Sequence, residues 1–306
     1  MHRLFVFISI IILLLTPAGP SAFSVHPAWC RCPAEPILRR SSDPSYHDIL
    51  YQLQRYWASL SLYPGTPNGR FDQTMEKAVI AFQKKHRLPL SGALDEPTWE
   101  KIGAVPAETE AGSSQTRPTG SIDVLVDLDS LTLTILCDRV PFKSYPVAIG
   151  TLETPSPAGS WEIVHKGYWA KGKTHWLGLS VPFGSYGIHG TNQPWTIGTR
   201  ASNGCIRMYN HHLEEVYRWL KPGTRVFIAG DPFRDHRHLK RGMAGSDVYY
   251  LQIRLKQLGS YRRKPTGHFD YWTEIALKEA QRKLGLPETG ELSPKEYYRF
   301  KLYWTD

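Results

Sequence analysis

The chain has 306 residues, 41% of them hydrophobic, and a formal net charge of +9. That length exceeds one ordinary domain, so two or three folded units are expected. Four cysteines are too few for a disulfide scaffold, and the basic balance comes with no recognised nucleic-acid-binding motif, which argues against a nucleic-acid partner.

Leu4 to Leu15 form an apolar run behind His2 and Arg3, followed by small residues and prolines to Ala22. Residues 1–24 therefore read as a secretory signal, with an uncleaved anchor as the alternative. The run is too short for a comfortable membrane span, so no lasting span is expected. Residues 25–44 form a Pro-rich leader carrying Cys30 and Cys32. These two are too close for a usual loop-closing bridge and lack further metal ligands nearby. For an exported basic chain, an anionic cell wall is a better partner than nucleic acid.

Residues 45–103 read as a small helical unit. Ile49, Leu53, Tyr56, Trp57 and Leu60 recur at helical spacing. Gly69-Arg70-Phe71-Asp72 is a turn, with Asp72 or Thr74 as N-cap of a second helix that buries Ala78, Val79 and Phe82. A short third helix is expected near Trp99. The unit recurs over 236–304 at a constant offset of 198 residues. Leu251-Gln252 repeats Leu53-Gln54, Gly267-His268-Phe269-Asp270 repeats the turn, Gln281 repeats Gln83, and Ala280 stands where Phe82 does. Two distant copies mean a duplicated domain and not a solenoid.

Residues 104–119 are rich in Pro, Ser, Thr and Gly and read as a flexible linker. Residues 120–230 are β-rich. Ile122, Val124 and Val126 alternate, as do Leu131, Leu133 and Ile135; Trp161 to Val164 and Thr224 to Ile228 are further strands. Cys137, at the end of one alternating run, is expected in the core. His211 to Leu220 is the one clear helix here, stopped by Pro222-Gly223.

The most informative stretch is Ser202-Asn203-Gly204-Cys205-Ile206-Arg207, with His189-Gly190 sixteen residues upstream of the cysteine. A thiolate is a competent nucleophile, and an imidazole accepts its proton and returns it to a leaving amine. Gly204 leaves room for a substrate carbonyl, and backbone amides around Ser202, Gly204 and Cys205 could hold an oxyanion. A free cysteine is more often a packed core residue. Here the flanking segments 186–192 and 198–201 are polar and Gly-rich, as surface loops that carry sites are. Tyr186, Trp195 and Trp176 are candidate cleft walls, although aromatic residues more often pack in cores. His165, His175, His211 and His212 have no motif behind them. No His-Glu-x-x-His or comparable ligand cluster occurs, so neither a metal nor a cofactor is expected.

Ile188 to Asn192 followed by Ser202 to Met208 resembles the signature of the YkuD-type L,D-transpeptidases. The likeness extends to Tyr145-Pro146-Val147-Ala148-Ile149-Gly150 and Thr154-Pro155-Ser156-Pro157-Ala158-Gly159, covering about residues 120–230. Many relatives carry a second histidine two residues before the cysteine; here that position is Asn203, so the dyad rests on His189 and Cys205. The repeated units, including Gly242 to Val248, resemble the peptidoglycan-binding domain 1 family. The implied architecture is multidomain: a mainly β catalytic domain flanked by two small three-helix peptidoglycan-binding domains.

The resemblance implies that Cys205 attacks the third residue of a peptidoglycan stem tetrapeptide, releases D-alanine, and passes the acyl group to an amine acceptor, with His189 moving the protons. Gly190, Ser202, Asn203, Gly204 and Arg207 would form the substrate and oxyanion loop, Arg207 either holding that loop or meeting a carboxylate. Water as acceptor would make an L,D-carboxypeptidase, and a non-catalytic wall-binding protein is a further reading. A monomer is expected, its modules raising local enzyme concentration at the wall. The N-terminal copy would search on its linker, and Asp231-Pro232 would hold the C-terminal copy closer.

Overall fold

The computed structural model describes residues 36–104, 117–169, 174–234 and 236–302. The signal segment, Cys30, Cys32 and linker residues 105–116 lie outside the described residues.

Helix α1 (His47–Ser59) buries Leu50, Leu53, Gln54 and Trp57 on one side. Helix α2 (Gln73–Lys85) starts at Asp72, whose carboxylate accepts from the Met75 N–H at 2.9 Å. This is the capping arrangement that satisfies an otherwise orphan amide. Trp57 stacks on Phe82 at 5.1 Å, and α3 (Glu96–Ala104) adds Trp99 and Ile102 to the same core. Two fully buried glutamines clamp the turns. Gln54 accepts from the Asn68 and Gly69 amides at 2.8 Å each and donates to the Arg70 carbonyl; Gln83 accepts from Gly92 and donates to the Ala93 carbonyl.

The central domain carries β1 (Ile122–Asp127), β2 (Thr132–Cys137), β3 (Val140–Pro146), β4 (Ile149–Gly150), β5 (Gly159–Trp169), β6 (Thr174–Leu179), β7 (Gly187–Gly190), β8 (Arg200–Ser202), β9 (Ile206–Met208), α4 (Asn210–Trp219) and β10 (Arg225–Ala229). Eight strands form one sheet in the order β3-β2-β1-β10-β5-β6-β7-β9; β4 and β8 form a separate pair. The alternation read from the sequence sets the register: Val124 faces Ile135 and Val126 faces Leu133, all four fully buried. Each such side chain contributes roughly 1.5–3 kcal/mol through burial. Helix α4 covers β6 and β7 with Leu213 and Val216. It ends before Pro222-Gly223, where Gly223 adopts φ +86°. Cys137 is not in the core. It sits half-buried at the end of β2, where the chain turns toward Asp138, and its thiol donates to the Thr119 carbonyl.

The second copy repeats the first. Helix α5 (Ser246–Gln257) and α6 (Tyr271–Lys283) hold Gln252 and Gln281, which make the same clamps on Gly267 and Gly290. Asp270 caps α6 through the Thr273 amide. The expected third helix is here a 3-10 turn, Pro294–Glu296, closed by a Ser293–Glu296 capping box. Pro294 suits a first turn, and the box satisfies the amides without a longer helix. Tyr297 still fills the position of Trp99 and is buried.

Both helical units sit on the central domain. Trp195 packs against Tyr56 at 6.2 Å and Trp99 at 5.9 Å on the N-terminal unit. On the other side Tyr249 lies 5.4 Å from Trp161 and 6.3 Å from Phe183. The searching N-terminal copy expected from the linker's composition is thus docked: aromatic pairs of this kind contribute about 0.5–1.5 kcal/mol each beyond their buried area. Among the described residues no helix is long and apolar enough to cross a membrane.

Candidate active site

Strands β7 and β9 run parallel, with Ile188 opposite Ile206 and His189 opposite Arg207. Cys205 precedes β9 by one residue, so continuing that register sets it across from Gly187 and diagonal to His189. Side chains alternate along a strand, which puts Cys205 and His189 on one face of the pair and Ile188 and Ile206 on the other. The segment around His189, expected from its polar, Gly-rich composition to be a surface loop, is a buried strand, and β9 beside it is buried too: strand pairing hides the backbone that the composition suggested was exposed. Cys205 is 1% exposed and His189 3%, so both lie beneath the surface.

The His189 ring is fixed from two sides. Its Nδ1 lies 2.7 Å from the Gly190 carbonyl oxygen, which can only accept; Nδ1 therefore carries a proton and donates. In the neutral imidazole this leaves the basic lone pair on Nε2. Trp176, the register partner of His189 on β6, stacks on the ring at 5.6 Å and 27°. Trp176 also fills the space over Gly187, where a Cβ would come within 2.6 Å of the indole Cη2. It is therefore a buried support for the histidine, not an open cleft wall.

Gly190 is held by polar neighbours. Its amide donates to Thr174 Oγ1 at 3.2 Å, and the same hydroxyl donates to Asn210 Oδ1 at 3.4 Å. A Cβ at Gly190 would collide with both side chains. Asn210 Nδ2 in turn donates at 3.0 Å to the Gly103 carbonyl in α3. A Cβ on Gly103 would come within 2.7 Å of Asn192 Cα and the Thr191 oxygen. The N-terminal unit thus touches the segment just after His189. Sequence reasoning missed Thr174, Asn210 and Gly103, because a contact between domains leaves no local periodicity.

The cysteine loop is shaped by Ser202 and Gly204. Ser202 Oγ donates to the Cys205 carbonyl at 2.5 Å and accepts from the Gly204 amide at 3.1 Å. That amide is committed to the turn, so Gly204 shapes the loop and is not an oxyanion donor in this arrangement. Gly204 has φ +101°, and its missing side chain faces the Tyr186 ring. Tyr186, half-buried and 5.7 Å from Phe183, lines a cavity of about 240 Å³ between the central domain and the C-terminal unit; Asn203, exposed, lines it too. Arg207 is buried at 8% exposure, and its backbone exchanges hydrogen bonds with Ala148. Trp195 differs from expectation: its ring packs on Tyr56 and Trp99 and so belongs to the domain interface.

Burial lowers the basicity of His175, whose ring is tilted against Tyr217 with centroids 3.9 Å apart, away from the cysteine loop. His212 is buried against Tyr145 at 5.0 Å. Neither shares the β7–β9 face with Cys205. Among the described residues no group of three or more His, Cys, Asp or Glu side chains is placed to hold a metal.

Residues 121–228 match the L,D-transpeptidase catalytic domain family YkuD, and residues 47–102 and 244–298 each match the "Putative peptidoglycan binding domain" family. The protein named "Putative L,D-transpeptidase YqjB" of Bacillus subtilis strain 168 is 30% identical over 125 residues, which cover 35% of this chain and 71% of that protein. The chain belongs to the YkuD family of L,D-transpeptidases. The B. subtilis protein named "Putative L,D-transpeptidase YkuD" is 38% identical over 107 residues, or 34% of this chain and 64% of that one. The chain thus spans less than two thirds of that relative's length. Among solved structures, an L,D-transpeptidase from Mycobacterium tuberculosis H37Rv is 18% identical with a TM-score of 0.33, over 36% of this chain and 58% of that one. The matched catalytic region contains both His189 and Cys205.

Proposed function

We propose that this protein is an exported peptidoglycan L,D-transpeptidase acting through a Cys205 thioester. The observation that carries the reading is the pairing of β7 with β9, which brings Cys205 and a tautomerically fixed His189 to one strand-pair face. The Cys205 proton passes to His189 Nε2, and the sulfur attacks the carbonyl of the third stem residue. The imidazolium then protonates the departing D-alanine amine, and a thioester remains. An amine from a neighbouring stem attacks the thioester and gives up its proton to His189. The thiolate leaves, and a link between third residues is formed. The wall-binding family matches on both sides support peptidoglycan as the substrate. Residues 120–230 would be the catalytic domain, with 45–103 and 236–304 as wall-binding domains. The leader at 1–24 supports export to the cell wall.

Incubation of the purified protein with soluble disaccharide-tetrapeptides, read by mass spectrometry, tests this. A dimer linked between third residues, with one D-alanine released per link, is expected. Tripeptide without dimer would mean hydrolysis, an L,D-carboxypeptidase. Unchanged tetrapeptide would leave a wall-binding protein without this activity.

A further inference from the structure

The Gly190 carbonyl decides which nitrogen of His189 carries the proton, yet Gly190 is the last residue of β7. A glycine at a strand end has the widest choice of backbone angles, so the direction of its carbonyl has to be set from outside. Three contacts set it. The Gly190 amide donates to Thr174 Oγ1 at 3.2 Å. Asn210 Oδ1 occupies the space that a Gly190 Cβ would need, and accepts from the Thr174 hydroxyl at 3.4 Å. Just past Gly190, the Thr191 carbonyl and Asn192 lie under Gly103 of the N-terminal unit, 2.7 Å from where a Cβ on that buried helical residue would stand.

All three contacts lead to the N-terminal unit. Asn210 opens α4, and its Nδ2 donates at 3.0 Å to the Gly103 carbonyl in the last turn of α3. Carbonyls in a helix's last turn lack a partner within the helix, so this one can accept from a neighbouring element. Asn210 thus spends one end of its amide on Thr174 and Gly190 and the other on α3. An amide held at both ends cannot swing without losing a bond. The segment under Gly103 also carries Trp195 to the rings of Tyr56 and Trp99, so the unit is seated at two points. The second copy cannot make this seat: at the repeat offset Gly103 becomes Lys301, exposed and at φ +53°.

We propose that Asn210 and Thr174 are positioning residues for His189, and that the docked N-terminal unit completes them by anchoring Asn210 through Gly103. With the unit seated, the Gly190 carbonyl holds the proton on Nδ1, and Nε2 keeps the lone pair that takes the Cys205 proton. With the seat lost, the Gly190–Thr191 peptide turns, the tautomer protonated on Nε2 becomes populated, and the thiol loses its base. The proposal rests on the reading of His189 and Cys205 as a dyad. It gives the N-terminal unit a part in the reaction that holding the wall does not require.

The test reads the tautomer directly, in the full chain carrying Cys205→Ala and nitrogen-15 histidine. Long-range proton–nitrogen spectra at pH about 8.5, where a free imidazole is neutral, separate rings protonated on Nδ1 from those protonated on Nε2. The His189 signals are those missing from the His189→Ala spectrum. The parent should show the Nδ1–H ring alone. Adding Gly103→Ala, Asn210→Ala or Thr174→Val should each bring in Nε2–H signal, whereas Thr174→Ser keeps the hydroxyl and should match the parent. Gly103→Ala is the sharpest arm: alanine is the better helix former, so α3 itself is favoured, and no catalytic-domain residue is changed. With Cys205 restored, the three disruptive variants should slow alkylation of Cys205 by iodoacetamide at neutral pH, read on its peptide by mass spectrometry, by roughly tenfold or more. Turnover of tetrapeptides should lose kcat at unchanged KM. If Asn210→Ala or Thr174→Val melts early, Gly103→Ala decides alone. An Nε2–H ring in the parent, an Nδ1–H ring alone in the folded variants, or a shift in the other two without one in Gly103→Ala overturns the proposal. Tautomer and alkylation changes in a protein that turns over no tetrapeptide would sink the transpeptidase reading and keep the positioning role, whereas turnover with an Nδ1–H ring in every variant would do the reverse.

Discussion

Replacing Gly204 with alanine asks whether the turn before Cys205 is built around a missing side chain. Gly204 has φ +101°, a conformation that costs an L-residue roughly 1–2 kcal/mol. The new Cβ would lie 2.6 Å from Tyr186 Cε1 and 3.2 Å from the Pro155 oxygen. Carbon atoms settle at about 3.5–4.0 Å, so the ring must retreat by about 1 Å. Overpacking of that kind costs roughly 1–3 kcal/mol. Gly198 supplies the control: it has φ +83°, yet nothing lies within 4 Å of its Cβ site. Gly198→Ala should show the backbone cost alone. At about 4 °C per kcal/mol for a domain of this size, Gly204→Ala should melt roughly 4–12 °C below Gly198→Ala, followed by near-UV circular dichroism of the full chain. Displacing Cys205 by about 1 Å should also slow turnover by roughly a hundredfold. Equal melting of the two variants, with normal turnover by Gly204→Ala, would refute the close-packed turn.

Four other outcomes are expected. Cys205→Ala should end turnover without loss of fold, whereas Cys137→Ala, at a half-buried site at the end of β2, should keep activity; tetrapeptide assays beside melting curves separate the two. His189→Ala should change the dependence of Cys205 alkylation rate on pH, and superimposable profiles would remove His189 from the dyad. Trp195→Ala removes two ring pairs, about 1–3 kcal/mol, and should release the N-terminal unit, seen as a larger radius of gyration by X-ray scattering. Asp72→Ala should cost about 1 kcal/mol as a lost helix cap. The Met75 amide, first, holds the Asp72 carboxyl below its ordinary value of 3.8, so its contribution is present above that value and fades as pH falls through the lower folded-state value. The variant's deficit should therefore shrink in acid denaturation below about pH 4.

Local patterning made much of the fold legible. Alternation at Val124, Val126, Leu133 and Ile135 corresponds to buried strand positions, and the spacing in α1 to buried helix positions. The proposed dyad stood out in the sequence because both residues sit in polar, Gly-rich segments, which a core cysteine rarely does. Cys137 misled because alternation continues to the last residue of a strand, while burial stops where β2 turns into β3 through Asp138-Arg139. Trp176 and Trp195 misled differently. An aromatic residue near a motif in sequence can face the site, support it or leave it, and only the strand register and the docked helices decide which. Arg234, Arg237 and Ser246 were invisible for the same reason: docking of the C-terminal unit, and no local pattern, brings them to the cavity beside Tyr186 and Asn203.

The duplicated unit separates what makes the fold from what places it. Positions kept between copies are those the frame needs. Gln54 and Gln252 clamp one turn, Gln83 and Gln281 the other, and Gly69 and Gly267 share φ near +70°. Positions that differ choose the seat. Tyr56 and Trp99 meet the central domain through Trp195, yet their counterparts Arg254 and Tyr297 face other partners: Arg254 donates to the Phe300 carbonyl and Tyr297 to the Arg237 carbonyl. The C-terminal copy instead docks through Tyr249 and Gly267, and the atoms nearest a Cβ at Gly69 in the first copy are those of His47 in its own unit. One three-helix frame is therefore presented to the catalytic sheet by two different faces. One seat abuts the chain just after His189, and the other closes the cavity beside Asn203 and Tyr186. Units joined to the sheet only by chain would need neither seat, so the positions that differ between copies set the docking and those that are kept set the frame.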